Sequence, residues 1–131
     1  MVEVGGRRYT AAHVVLATGS DPVLPPVPGL RELDGVWTNR EVTGMKTVPR
    51  RLLILGGGPV GAEIAQVVRR LGGEVALVEA ASHVLAREPA PLGEALGAEL
   101  RRDGIELTLG VQAVSARRWP IDRANVALTR Q

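Results

Sequence analysis

The sequence of 131 residues contains no cysteine and no phenylalanine, and its only aromatic residues are Trp37, Trp119 and Tyr9. Without cysteine, the chain itself cannot carry out thiol or disulfide chemistry. Without large aromatic side chains, aliphatic residues must fill the core, which is typical of sheets buried on both faces. The sequence also lacks an apolar run of about 18 residues and a signal-like segment after Met1. We therefore expect a cytoplasmic protein with no membrane partner.

The charged residues are numerous and nearly balanced, with 16 Lys and Arg against 14 Asp and Glu. Pairs of arginines are scattered along the chain with acidic residues between them, whereas a nucleic-acid-binding surface needs a clustered basic stripe. We therefore expect no nucleic-acid partner. A hydrophobic content of 45% in 131 residues allows one globular domain with a real core, but not a large multidomain enzyme.

The first residues have the pattern of short strands. Val2–Val4 and Arg7–Thr10 flank Gly5-Gly6, which predicts a β-hairpin with a glycine turn. The apolar run His13–Ala17 predicts a third short strand, which ends at Thr18-Gly19-Ser20.

A proline-rich segment follows these strands. Four prolines lie between Asp21 and Gly29, and so many cannot sit inside a helix or a central strand. We predict a domain boundary here, with residues 1–22 in one unit and residues 23–49 as a stiff crossover to the next.

Residues 50–118 alternate between strand and helix patterns. Leu52–Leu55 is a continuous apolar run, as in a buried parallel strand. Pro59 suits the first turn of a helix, Gly72-Gly73 would end that helix, and Glu74–Glu79 predicts the next strand. The predicted inward stripe of the helix consists of Val60, Ile64, Val67, Val68 and Leu71.

A second helix over about Pro91–Asp103 and a third strand over Ile105–Leu109 complete the alternation. The predicted inward residues of this helix are Leu92, Ala95, Leu96 and Leu100. Strand, helix, strand, helix and strand with short connections predict an α/β fold with a Rossmann-like, doubly wound parallel sheet. Beyond residue 111 no clean period is visible, and residues 119–131 are predicted to form an atypical tail.

The glycine run between the first strand and helix has the spacing of a dinucleotide-binding loop. Gly56 permits a tight turn, Gly58 lets the backbone approach a pyrophosphate, and Gly61 lets the helix pack closely on the strand. The following helix N-terminus attracts an anion. The predicted cofactor-binding residues of the run are Gly56, Gly57, Gly58, Pro59, Val60 and Gly61.

Glu79 closes the second strand, 18 residues after Gly61, near the position of the acid that hydrogen-bonds the adenosine ribose. A carboxylate there accepts from the ribose hydroxyls of NAD and repels the 2′-phosphate of NADP. Residues 80–83 contain no arginine to hold that phosphate, so NAD is favoured over NADP. His83 could touch the ribose or could be an ordinary loop residue. Glu63 is either a functional carboxylate or an exposed residue that complements the helix dipole.

Two separate segments resemble the pyridine nucleotide-disulphide oxidoreductases, flavoproteins such as lipoamide dehydrogenase and mercuric reductase. His13–Ser20, with the prolines that follow, is similar to the strand that closes the FAD domain of that family. Leu53–Glu63 and Leu71–Glu79 are similar to its NAD(P) domain, and the resemblance spans about residues 2–112.

The resemblance implies roles for particular residues. Ala17, Thr18 and Gly19 would pass near FAD, and Glu63 would reach toward the nicotinamide and the flavin. Asp21 replaces an arginine of many relatives, and Pro59 occupies the place of a tyrosine that gates the nicotinamide pocket in some of them. Full-length relatives are homodimers, and the oligomeric state of this chain stays open.

The first FAD motif, the redox cysteine pair and the dimerisation domain of the family have no counterpart in the sequence, so we expect a fragment of a larger flavoprotein. The leading hypothesis is a segment that binds NAD for hydride transfer to FAD, with no catalytic or metal-ligating residue of its own. The alternatives are a non-catalytic dinucleotide-binding module and an unrelated NAD-dependent dehydrogenase. The partners expected are small nucleotide cofactors.

Overall fold

The computed structural model describes the backbone of residues 1–119 and 123–130 and the side chains of residues 1–117. Its elements form three small sheets and three helices. In chain order they are β1 (Val2–Val4), β2 (Arg7–Tyr9), α1 (Asn39–Thr43), β3 (Arg51–Leu55), α2 (Pro59–Arg70), β4 (Glu74–Glu79), α3 (Ala90–Arg102), β5 (Glu106–Leu109), β6 (Val111–Trp119) and β7 (Arg123–Arg130).

The predicted N-terminal hairpin is confirmed, but the strand predicted after it is not. Strands β1 and β2 pair antiparallel, and the turn residues Gly5 and Gly6 both have positive φ. His13–Ala17 forms no strand, and Val15 and Leu16 are 88% and 84% exposed. The prediction was wrong because a strand needs a hydrogen-bonded neighbour, and no described strand pairs with this run.

The connector has no helix or strand between Asp21 and Gly29, as its prolines predict. It is anchored at Pro28, whose carbonyl accepts a hydrogen bond from Ala116 N of β6 at 2.8 Å. Helix α1 follows, and its N-terminus is a capping box in which Thr38 and Glu41 bond reciprocally. The sequence analysis missed this helix although its Thr-x-x-Glu signature is present.

Strands β3, β4 and β5 form a parallel sheet in that order. Alternate residues of β4, Val75 and Leu77, share one buried cluster with Ala65 and Val68 of α2 and with Leu100 of α3. Both helices therefore pack on the same face of this sheet. The predicted α/β fold with a Rossmann-like parallel sheet is confirmed, although among the described residues the helices of the alternation cover one face of the sheet and not both, as a doubly wound sheet requires.

Strand β3 is less buried than its continuous apolar sequence predicts. Leu52 and Ile54 face the helices, whereas Leu53, on the opposite face, is 41% exposed. The expectation of burial on both faces fails here because β3 pairs only with β4 in the described chain and the helices cover only one face.

The inward faces of both helices differ from those predicted. Helix α2 buries Ala62, Ala65 and Val68, whereas the predicted core residues Val60, Val67 and Leu71 are exposed. Helix α3 buries Gly93, Gly97 and Leu100, whereas the predicted Leu92 and Ala95 are exposed. Small residues on the inward side bring the helix backbone close to its neighbours, and some larger aliphatic side chains, such as Val67 and Leu92, lie on the other side.

Asp103 joins the C-terminal ends of α2 and α3. Its carboxylate accepts hydrogen bonds from Gln66 at 2.9 Å and from Arg70 at 3.2 Å. The bond from Gln66, and then the charge of Arg70, hold the pKa of Asp103 below its ordinary value.

The segment without a clean period contains two antiparallel strands, β6 and β7, with a register shift between Ala113 and Ser115. A bulge of this kind interrupts the two-residue alternation and explains why the sequence pattern is irregular. The predicted atypical tail at 119–131 falls partly outside the described residues. Among the helices in the described part of the chain, none is both long and apolar enough to cross a membrane.

Candidate functional site

The glycine run connects β3 to α2 at the carboxyl edge of the parallel sheet, with each spaced glycine in a different setting. Gly56 has φ +109°, a conformation that L residues rarely adopt, and its N–H donates to Val78 O at 2.8 Å. A Cβ at Gly61 would collide with the carbonyl oxygen of Gly56. A Cβ at Gly58 would meet no heavy atom of any described residue beyond its chain neighbours within 4 Å. Gly56 and Gly61 are therefore required by the protein's own geometry, whereas Gly58 faces open space.

The N-terminus of α2 opens at this same place. Gly58 is its N-cap residue and provides no capping side chain, and Pro59 follows in the first turn. The first N–H groups of a helix have no carbonyl partner within it and carry a partial positive charge. This end of α2 therefore presents hydrogen-bond donors to an anion.

Glu79 ends β4, and its side chain lies against the glycine run. One carboxylate oxygen, Oε2, accepts from Gly57 N at 2.6 Å, and Oε1 accepts from Ala81 N at 2.8 Å. Glu79 and the glycine run come into contact because β3 and β4 are parallel, so that their carboxyl ends lie at the same edge of the sheet. The structure thus brings Glu79 and the glycine run together, as their order in the sequence predicts.

The loop from residue 80 to 89 packs on the same glycine. Leu85 N donates to Gly57 O at 2.8 Å, and Leu85 is the one non-glycine residue with positive φ, +54°, in the described chain. His83 Nδ1 lies 2.9 Å from Val84 O and must donate, because a carbonyl oxygen can only accept. A Cβ at Gly93 would collide with the His83 ring. His83 is thus packed into the loop, which favours its interpretation as an ordinary loop residue.

The remaining predicted residues lie on the surface. Glu63 is exposed on the second turn of α2 and forms no hydrogen bond or ion pair with any described residue. Its carboxylate is therefore not buried among apolar neighbours. Val60 is also exposed. Ala17, Thr18 and Gly19 are exposed too, and no hydrogen bond joins them to the glycine run in the described part of the chain.

Asp21, the departure from the family pattern, forms an ion pair with Arg40 of α1. Both side chains are exposed, so this pair contributes little to stability. Within the described ranges, no three His, Asp or Glu side chains form a group suited to a metal ion.

Sequence reasoning missed two contributors to the site, Ala81 and Leu85, and gave no structural reason for a third, Gly57. Gly57 was grouped with the run without a structural reason, yet its Cβ would lie 3.0 Å from Val84 Cγ1 and 3.2 Å from Glu79 Cβ. Ala81 and Leu85 contribute only backbone N–H groups. A backbone donor carries no residue-type signal, so no sequence motif points to Ala81 or Leu85.

A parallel sheet, a glycine turn and an uncapped helix N-terminus at its carboxyl edge define the class of Rossmann-like nucleotide-binding folds. The chain belongs to the pyridine nucleotide-disulphide oxidoreductase family, which matches residues 1–129. This match reaches beyond residue 112, where the resemblance visible by motif ends, and includes most of the C-terminal segment.

Individual relatives agree with this assignment. A mercuric reductase from Shigella flexneri is 39% identical over 110 residues, which cover 83% of this chain and 19% of that protein. A dihydrolipoyl dehydrogenase from Acholeplasma laidlawii is 36% identical over 109 residues, covering 81% of this chain and 32% of the relative. The chain therefore spans between about a fifth and a third of the length of these relatives.

A solved structure shows the same fold. The HOCl-induced flavoprotein disulfide reductase RclA from Escherichia coli superposes with a TM-score of 0.75 at 30% sequence identity. The superposition covers 86% of this chain and 26% of that protein. This chain is thus an oxidoreductase-family segment with the fold of the flavoprotein reductases.

Proposed function

We propose that this chain binds NAD and presents its nicotinamide for hydride transfer to a flavin. Gly56–Gly61 would surround the pyrophosphate, and Glu79 would hold the adenosine ribose. The observation that carries this proposal is the position of the Glu79 carboxylate, which touches the glycine run at 2.6 Å from Gly57 N. An acid and a glycine turn in contact at one sheet edge are the pair that a dinucleotide requires.

The pyrophosphate position is supported by the space at Gly58. Among the described residues, no heavy atom outside Gly57, Gly58 and Pro59 lies within 4 Å of where its Cβ would be, so a phosphate can approach the backbone there. The N–H groups at the start of α2 supply donors and a favourable dipole for the negative charge. The residues present therefore fit the group.

The preference for NAD over NADP is supported by charge. Glu79 would accept hydrogen bonds from the ribose hydroxyls but would repel a 2′-phosphate at the same place. Residues 80–83 are Ala, Ala, Ser and His and provide no arginine to offset that repulsion.

The proposed contacts with the flavin and the nicotinamide rest on the family resemblance. Glu63, exposed on α2 and without a partner among the described residues, would reach toward the nicotinamide. Ala17, Thr18 and Gly19 would border the FAD, but as described they form no enclosed cradle for it.

The exposure of Ala17–Gly19 favours a second candidate, a dinucleotide-binding module without catalysis. Two measurements on the purified chain separate the candidates. Both predict saturable quenching or enhancement of NADH fluorescence, with NADPH bound about tenfold more weakly, a difference of about 1.4 kcal/mol. Only the flavoprotein candidate predicts visible flavin absorbance, whereas a colourless chain that binds NADH supports the module. Absence of saturable NADH binding would contradict both.

A further inference from the structure

We propose that Glu79 is also a positioning residue, which holds the glycine run and the loop of residues 80–89 in the binding shape before any nucleotide arrives. This inference rests on the proposed NAD site and adds a second task to the residue expected to bind the ribose. The site would then be preformed, and the carboxylate would act on the pyrophosphate position through the backbone as well as on the ribose directly.

The first support is the use of both carboxylate oxygens by backbone donors. Oε2 accepts from Gly57 N at 2.6 Å, and Oε1 accepts from Ala81 N at 2.8 Å. One side chain thus joins the glycine run, 22 residues before it in the chain, to the loop that begins directly after it. Hydrogen bonds to an ionised acceptor are about twice as strong as neutral ones. Gly57 is buried, so its N–H depends on this partner instead of water.

The second support is that the next peptide group of the same residue, Gly57, is also held. Leu85 N donates to Gly57 O at 2.8 Å, and Leu85 adopts φ +54°. A left-handed conformation at a leucine persists only where its surroundings hold it in place. Glu79 and Leu85 thus clamp Gly57 between β4 and the loop that follows.

The two tasks of Glu79 are compatible. An ionised carboxylate offers about four acceptor sites, of which the two backbone N–H groups occupy two. The other two remain for the hydroxyls of a ribose. Binding of the nucleotide therefore does not require the clamp to open.

Amide hydrogen exchange of the unliganded chain tests the clamp directly. In Glu79→Ala both acceptors are lost, and we expect the Gly57 and Ala81 amides to exchange at least about tenfold faster. Glu79→Gln keeps one acceptor oxygen but turns an N–H₂ group toward a donor, so only one of the two amides should remain protected. Glu94→Gln, a change at an exposed residue of α3, is the matched control.

The exchange of Leu77, whose strand lies at the centre of the sheet, shows whether a change is local. Faster exchange at Gly57 and Ala81 with an unchanged Leu77 supports the clamp. Unchanged exchange at Gly57 in Glu79→Ala overturns it, whether or not NADH binds. Conversely, a chain that keeps these protected amides but binds no NADH contradicts the proposed function and leaves the clamp standing.

Inorganic pyrophosphate, which has no ribose, separates positioning from direct contact. Removing a negative charge near the site should by itself strengthen the binding of an anion. Loss of positioning has the opposite effect, so we expect Glu79→Ala to bind pyrophosphate about tenfold more weakly. The chemical shifts of the first backbone amides of α2 measure this binding in a titration. Equal or tighter binding in the variant would overturn the proposal. No binding by the unchanged chain would contradict the proposed pyrophosphate site, and the amide exchange of Gly57 and Ala81 would then decide the clamp.

Discussion

Within the glycine run, three residues of the same type lie in three different settings. Gly56 adopts a positive φ, Gly61 leaves no room for a Cβ against the Gly56 carbonyl, and Gly58 faces open space. The spacing of the motif predicts the first two settings from backbone sterics alone. Only the third concerns something outside the protein, and we propose that this is the pyrophosphate.

Glu79→Ala tests the ribose assignment at this scale. Removing the carboxylate takes away both the acceptor for the ribose hydroxyls of NADH and the repulsion of the NADPH phosphate. We expect NADH affinity to fall and the preference for NADH over NADPH to narrow by about tenfold, or about 1.4 kcal/mol, in parallel fluorescence titrations. An unchanged ratio of the two dissociation constants would mean that Glu79 does not approach the ribose.

The sequence does not predict how Gly57 is held. Its partners are the carboxylate of Glu79, a distant residue in the chain, and the backbone N–H of Leu85. The positive φ of Leu85 runs against the preference of its residue type, so it can be found only from the structure.

At the scale of elements, the strand and helix order was predictable, but the helix faces were not. The sequence places large aliphatic residues of α2 on one stripe, and that stripe is only partly inward. Alanine is a weak hydrophobic signal in a pattern, yet Ala62 and Ala65 face the sheet because they allow the helix to approach it. The hydrophobic period therefore predicted that a helix forms here, but not which of its faces packs on the sheet.

A matched pair of valines tests the observed orientation. Val68 is fully buried and Val67, its neighbour, is 49% exposed, although both belong to the predicted stripe. We expect Val68→Ala to lower the free energy of unfolding by about 1 to 3 kcal/mol, and Val67→Ala to change it by about 0.5 kcal/mol or less. Denaturant unfolding measures both. Equal costs would show that the helix is rotated from its described position.

Two further elements show where local patterns stop being sufficient. Helix α1 has a complete capping box, so the sequence does carry a local signal for the start of this helix. The run His13–Ala17 has the composition of a strand and forms none, because strand formation also depends on a partner that composition does not reveal. Its exposed Val15 and Leu16 are the result.

At the scale of the whole molecule, the α/β fold and the family membership are the predictions that the structure and the relatives bear out. Both depend on long-range order in the sequence: an alternation of strands and helices, with a glycine turn and an acid at the correct ends. The chain covers 19% of one relative and 32% of another. Family membership alone therefore does not assign the reaction of those larger proteins to this chain, and that reaction is only proposed for it.

The central claim is that the space above Gly58 receives the pyrophosphate of NADH, and a fluorescence titration of Gly58→Val tests it most directly. The Cβ of the new side chain would meet no described heavy atom outside the adjoining residues, so the protein should stay folded, while NADH affinity should fall about a hundredfold, or about 2.7 kcal/mol. Gly44→Val, at the end of α1, is the control and should bind NADH as the unchanged chain does. A folded Gly58→Val protein with unaltered NADH affinity would contradict the account.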